Sequence, residues 1–265
     1  MVTRTNSNYQ VRALERALDI LDAFSLATPE LSVTRLAERV DLPKSTVVRL
    51  VAILVERGYL ERVPETESFR IGVRAFEVGC VYIQSTSLAA EARPIMARLA
   101  EATGQTANLG ILDRGELVHL AIEAPDRPVR YWATTGKRED PHFTGLGKVL
   151  MAGLPEERLT AHLGRRVLSG RTPRSITEPG LLRLELDRVR ANGYAIDDEE
   201  SNDGVCCVAA PIVDGSGMTV AAVSISGIKA EFGEDAMPRY VAAVVEAGRA
   251  ISARIGGALR RGGTA

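Results

Sequence analysis

PKSTVVRLVAILVERGYL, residues 43–60, begins with a proline and ends in a glycine followed by an aromatic residue. Within it Val47, Leu50, Val51 and Leu54 fall at i, i+3, i+4 and i+7, which lays one apolar stripe along an amphipathic helix. Lys44, Ser45, Thr46 and Arg49 occupy the other side of its first two turns. All four carry hydrogen-bond donors, and no carboxylate stands among them. Pro43 suits the first helical position, where its missing N–H costs nothing, and Gly58 suits a left-handed cap that ends the helix. A helix that opens in this way requires a partner made of acceptors.

Upstream, VRALERALDILDAF (residues 11–24) puts Leu14, Ala17, Leu18 and Leu21 on one stripe, which predicts a surface helix with that face turned inward. TPEL breaks it. Ser32 is placed to cap a second, short helix, VTRLAERV, whose Leu36, Ala37 and Val40 face a core. Asp41-Leu42 leaves room only for a tight turn before Pro43. After Gly58 the apolar period falls from 3.6 to 2, and YLERV and FRIG read as short strands around the polar turn PETES. Three helices, a tight turn between the last two and a hairpin make a winged helix-turn-helix in residues 1–72.

Residues 73–88, VRAFEVGCVYIQSTSL, predict a linker and dimerisation helix with Phe76, Cys80 and Ile83 along one side. Residues 89–265 are mixed. AEARPIMARLAEATG predicts a helix bent at Pro94. Strands are expected at TANLGIL, LVHLAIEA and VRYWATT, helices at TGLGKVLMAGL, PEERLTAHLG and LLRLELDRVRANG, and strands again at YAIDD, GVCCVAAPIVD and MTVAAVSISGI. DGSG is a hairpin turn, and a last helix runs through RYVAAVVEAGRAISARIGGAL. Strands grouped around a few helices predict an α+β domain with an antiparallel sheet.

Charge and composition narrow the possibilities. The net charge is −1, and residues 1–75 hold eleven Lys and Arg against ten Asp and Glu, so bulk attraction to a polyanion is excluded. If nucleic acid is bound, one face must carry the positive charge. A composition of 45% apolar and 25% charged residues is that of a folded globular chain, and no apolar run reaches the roughly 18 residues of a membrane helix. The three cysteines, two of them adjacent, give no disulfide framework, and the first residues lack an apolar signal segment, so a cytoplasmic location is expected.

Several chemistries find little support. TGLGK is not a phosphate-binding loop, because GxxxxGK[ST] needs a glycine where His142 stands and Ser or Thr where Val149 stands. His119, His142 and His162 are isolated, and Cys206-Cys207 lies on a strand whose neighbours face opposite ways, so no metal or other cofactor is expected. No GxSxG occurs, and no catalytic residue is assigned.

Taken in order, PKSTVVRLVAILVERGYL, TGLGKVLMAGL, GYAIDDEESNDGVCCVAAPI and AAVSISG resemble the IclR family of bacterial transcriptional regulators, across about Val11 to Arg260. The resemblance implies a winged helix-turn-helix, a linker helix and a GAF-like effector-binding domain. It further implies double-stranded operator DNA and a small organic acid as partners, and a homodimer or tetramer. A repressor of this type is the expected function. The competing reading is a metabolite-binding sensor or enzyme whose N-terminal domain serves dimerisation, and the donor face of residues 44–49, which dimerisation does not need, separates the two.

Guanine offers two acceptors in the major groove, and phosphates are acceptors everywhere, so the donor-rich first turn is suited to duplex DNA. Arg49 is the expected base reader. Ser45 and Thr46 can meet a phosphate or a base, Lys44 and the wing residues Arg62 and Arg70 the backbone, and Arg35 a further phosphate. On the effector side the resemblance carries over Asp197, the first acid of DDEE, with Cys207, Ser224 and Ser226, and Gly145 and Leu146 at the opening of a pocket helix. Tyr131 is carried over as a weaker match. A helix that opens at Gly145 also offers free amides to a small anion.

Overall fold

The computed structural model describes residues 11–25, 27–85, 87–128, 134–164 and 167–256, with the backbone alone for 80–85 and 87. It divides into two compact units between Ser85 and Thr86.

The first unit holds α1 (Arg12–Asp22), β1 (Glu30–Ser32), α2 (Val33–Arg39), α3 (Lys44–Glu56), β2 (Leu60–Arg62), β3 (Ser68–Ile71) and α4 (Val73–Ser85). Ile20, Leu36, Val47, Val51 and Leu60 form its interior, and Leu50 is half-buried beside them. The Ser32 hydroxyl accepts from the Arg35 amide and caps α2 as expected. Gly58 sits at φ +73°, and its amide and that of Tyr59 close the end of α3 on Val55 and Leu54.

Three details differ from the sequence reading. Pro43 is the residue before the first turn of α3, at φ −57° and ψ 137°, one position earlier than its preference suggests. Residues 30–32, within the TPEL break and the capping serine, form β1, which pairs antiparallel with β3 and sets Leu31 opposite Phe69. A three-residue strand is too short to show a period of two. On α1 the buried residue is Ile20, whereas Leu14 and Leu18 are 58% and 51% exposed. The helix reaches the core only through its last turn, so most of the expected inward stripe has no cover within the described chain.

The second unit is built on a six-stranded antiparallel sheet in the order β6-β5-β4-β9-β8-β7. Its strands are β4 (Thr106–Asp113), β5 (Glu116–Glu123), β6 (Arg138–Glu139), β7 (Ala195–Asp198), β8 (Val205–Val213) and β9 (Thr219–Ile228). One face is covered by α5 (Ser87–Thr103) and α9 (Met237–Arg254), which pack on each other. Pro94 lies inside α5 without ending it. The other face is covered by α6 (Gly145–Ala152) and α8 (Pro179–Asn192), with α7 (Glu156–Leu163) between them in the chain. The DGSG turn joins β8 to β9 as expected. Of the strand expected at VRYWATT, residues 129–133, with Tyr131, lie outside the described residues, and Thr134 and Thr135 are not in a strand.

A 3-10 turn at Pro141–Phe143 leads into α6, and Thr144 caps the helix by accepting from the Gly147 amide at 3.0 Å. A side chain on Gly147 would begin 2.1 Å from the Pro141 carbonyl oxygen. Glycine is therefore required there by close backbone approach. A Cβ on Gly145 would meet those of Ala209 and Cys207 at 3.4 and 3.7 Å, so the amino end of α6 rests directly on β8.

Candidate functional site

Two surfaces collect the residues singled out by the sequence. The first is the exposed side of α3. Val47, Val51 and Leu54 point into the core, which leaves Lys44, Ser45, Val48, Arg49 and Ala52 outward. Thr46 is half-buried and turned toward the flank. The first turn contains no acidic residue. Val48, 51% exposed, was not singled out by pattern because an apolar residue beside a buried valine reads as core; on this face it can pack on a thymine methyl.

The other basic residues are arranged less uniformly. Arg35 on α2 is exposed, with Glu38 at 3.6 Å. The Arg62 guanidinium stacks over the Phe69 ring, 5.0 Å from its centre, which fixes its direction along β2. Arg70 donates to the Glu61 carboxylate, so a phosphate would compete with an existing partner.

The second surface is a cavity of about 20 Å³ between the sheet and the amino end of α6. It is lined by six of the seven residues carried over from the resemblance: Gly145, Leu146, Asp197, Cys207, Ser224 and Ser226. Strand register explains the convergence. Asp197 lies opposite Cys207, and Cys207 opposite Ser226, so the three form one row across β7, β8 and β9 on the face beneath α6. Ser224 is two residues along on that face and pairs with Asn108. The Asn108 amide donates to both serine hydroxyls, at 3.5 Å to Ser224 and 3.1 Å to Ser226. The same amide also meets the Thr106 carbonyl at 3.2 Å, so its two protons are shared among three oxygens, and Ser226 is hydrogen-bonded to the Cys207 thiol as well. The first turn of α6 adds the amides of Gly145 and Leu146, which have no intrahelical acceptor.

Asp197 is fully buried, and its oxygens already have partners. Oδ1 accepts from the amides of Glu200 at 2.8 Å and Ser201 at 3.2 Å, and Oδ2 from the Ser201 hydroxyl at 2.6 Å. Burial pushes its pKa up, and the Ser201 and Glu200 hydrogen bonds oppose that. The geometry makes Asp197 the anchor of the turn that follows β7 as much as a wall of the cavity. Behind it lies a buried cation. Lys148 Nζ, on α6, is 2.5 Å from both the Ile196 carbonyl and Glu200 Oε1. Burial raises the Glu200 pKa, and Lys148 opposes the rise. Burial also raises Cys207 well above the ordinary thiol range, so it stands in the cavity as a neutral thiol.

Four polar cavity residues were not found by sequence reasoning: His119, Glu139, Thr144 and Ser201. His119 Nε2 is 3.0 Å from Glu139 Oε2, and Lys137 and Arg171 meet Oε1 of the same carboxylate at 2.7 and 2.8 Å. Burial would raise Glu139, but the bonds from His119 and Lys137 prevail and hold its pKa at about 2. The alternation of LVHLAIE marks His119 as facing the same way as Leu117, yet nothing local reveals that a two-residue strand twenty positions on supplies its partner. Among the described residues no group of His, Cys, Asp and Glu could hold a metal ion, and no helix is long and apolar enough to cross a membrane.

A winged helix-turn-helix followed by a separate α+β domain defines the class of two-domain transcriptional regulators. Comparison with known proteins agrees. Residues 13–64 match the IclR helix-turn-helix domain, and residues 80–253 match the bacterial transcriptional regulator IclR C-terminal domain. The HTH-type transcriptional regulator BhcR of Paracoccus denitrificans is 36% identical, over 91% of this chain and 86% of its own. The transcriptional repressor IclR of Escherichia coli is 33% identical, over 94% and 91%. The crystal structure of the Thermotoga maritima IclR superposes with a TM-score of 0.76 at 29% identity, covering 93% of this chain and all of that one. An IclR homologue from Microbacterium hydrocarbonoxydans, complexed with 4-hydroxybenzoate, shares the fold with a TM-score of 0.83 at 24% identity, over 92% and 98%.

The chain belongs to the IclR family of bacterial transcriptional regulators. Like its relatives it is a helix-turn-helix transcriptional regulator rather than an enzyme.

Proposed function

We propose that this regulator is a repressor dimer that reads its operator with the outward side of α3 and is released or retained by a compact hydroxy or oxo acid bound beneath α6. The observation that carries the reading is the convergence of Gly145, Leu146, Cys207, Ser224 and Ser226 on one small cavity with donors on both sides. A carboxylate suits the free amides and dipole of a helix start together with two hydroxyl donors. At about 20 Å³ the space has room for about one water as it stands, so even a small acid enters only as the walls move apart. On the DNA side Arg49 is assigned the base contact, Lys44, Arg35 and Arg62 backbone contacts, and Ser45 either. Thr46 and Arg70 take secondary places, the one half-buried and the other paired with Glu61. The exposed apolar residues of α1 and α4, with Phe76 70% exposed, supply the dimer contact within a unit too small to cover a long operator alone.

The test is retardation of the gene's own upstream DNA by the purified protein, with and without small hydroxy and oxo acids. Binding that responds to an acid in the wild type, and no longer responds in Ser224→Ala/Ser226→Ala, supports the assignment. An unchanged response in the double variant overturns it.

A further inference from the structure

His119 is 7% exposed and lines the cavity, and its Nδ1 is buried without any hydrogen-bond partner. A buried polar atom of that kind normally finds a partner, and the lack of one in a folded chain points to something supplied from outside. The other polar side chains that line the cavity have partners. Asp197 accepts three bonds. Glu139 accepts from His119, Lys137 and Arg171. Thr144 Oγ1 accepts from Gly147 and donates to Pro141. Ser224 and Ser226 meet the Asn108 amide, and Ser226 the Cys207 thiol also. The site therefore offers donors for a carboxylate and, among its described lining residues, one unoccupied acceptor; Asn108 Oδ1 and Glu200 Oε2, which lie behind the lining, are buried without a partner as well.

Which kind of group Nδ1 is follows from its ring partner. Nε2 faces a carboxylate, so in the neutral ring the proton is assigned to Nε2 and Nδ1 holds a lone pair. We propose that His119 Nδ1 accepts a hydrogen bond from a hydroxyl of the bound acid, so that the effector site selects hydroxy acids over the matching oxo acids. This rests on the cavity being the effector site. An oxo oxygen at the same place would set lone pair against lone pair, and the buried nitrogen would stay unpaired.

Calorimetric titration of the full-length protein with matched pairs, lactate against pyruvate and 2-hydroxybutyrate against 2-oxobutyrate, reads the preference directly. The hydroxy member is expected to bind about tenfold more tightly, the worth of one buried hydrogen bond. His119→Gln places its amide near the Nε2 position, keeps a partner for Glu139, and should lose the preference. His119→Asn places its amide near the Nδ1 position and should keep most of it. Thermal melting and operator affinity establish that both variants are folded. Equal affinities within each pair, or a preference untouched in His119→Gln, overturns the proposal. Acid binding that needs Ser224 and Ser226 but ignores the hydroxyl overturns this proposal and leaves the cavity assignment standing. Acid binding indifferent to both serines, or no binding by any of the four acids, overturns the two together.

Discussion

The ammonium of Lys148 and the carboxylate of Glu200 form a hydrogen-bonded ion pair at 2.5 Å, with the lysine side chain 1% exposed. The pair ties α6, whose amino end roofs the cavity, to the turn held by Asp197. Lys148 has a second carboxylate, Glu185, at 3.4 Å, but removing Lys148 leaves Glu200 buried without a countercharge, which costs more than the pair contributes. Lys148→Met should destabilise the chain by about 3–5 kcal/mol and weaken acid binding as well. Lys148→Met/Glu200→Gln should recover part of that loss. Chemical denaturation of these two variants, Glu200→Gln and the wild type in a double-mutant cycle gives the answer, and additive losses would mean that the two groups act separately.

Glu139 makes acid stability a second test. Its pKa lies at about 2, below the ordinary 4.5, so folding favours the ionised form. The sign is that of a depressed carboxylate: the stabilisation is complete above about 4.5 and disappears as the pH falls toward 2. Glu139→Gln should therefore cost about 3 kcal/mol near neutrality, and the gap to wild type should close between pH 4.5 and 2. Urea midpoints at several pH values measure it. A gap that is constant across that range would remove the ion cluster as its cause.

On α3, Arg49→Ala should weaken operator binding by about 1–3 kcal/mol and relax preference at one base position. Lys44→Ala should weaken all sequences alike and flatten the salt dependence. Val48→Ser should leave the salt dependence alone and reduce discrimination at a thymine. Binding to a library of operator variants separates the three outcomes, and an Arg49→Ala protein with wild-type affinity and preference would mean that another face reads the DNA.

The exposed residues of α1 and α4 predict association. Phe76→Glu and Leu18→Glu should each shift the protein toward monomer in sedimentation, with loss of operator affinity at equal chain concentration. Unaltered sedimentation of both would place the contact elsewhere.

How far the sequence could be read depended on the range of the interactions involved. Ser32, Gly58 and the α3 stripe were legible because capping, backbone sign and periodicity are decided within a few residues. The alternation of Ser224 and Ser226 was legible for the same reason. Their meeting with Asp197 and Gly145 came only from the family resemblance. The partners of His119 and Lys148 were not legible, because each lies on a separate element brought close by the sheet. β1 escaped because pairing with β3, not its own three residues, makes it a strand. The inward face expected of α1 failed because periodicity shows that a stripe will be covered, but not by what.

The pairing of β4 with β9 joins Thr106 to Ser226 across most of the second unit. During synthesis, the reading head is complete once Ile71 has left the ribosome, whereas the sheet cannot close until β9 has followed. At roughly 5–20 residues per second that interval is on the order of ten seconds. Every new molecule thus passes through a stage at which its helix-turn-helix is whole and its sheet is not, and a nascent chain stalled short of residue 224 would carry the DNA-binding elements without Ser224 and Ser226 of the proposed acid site.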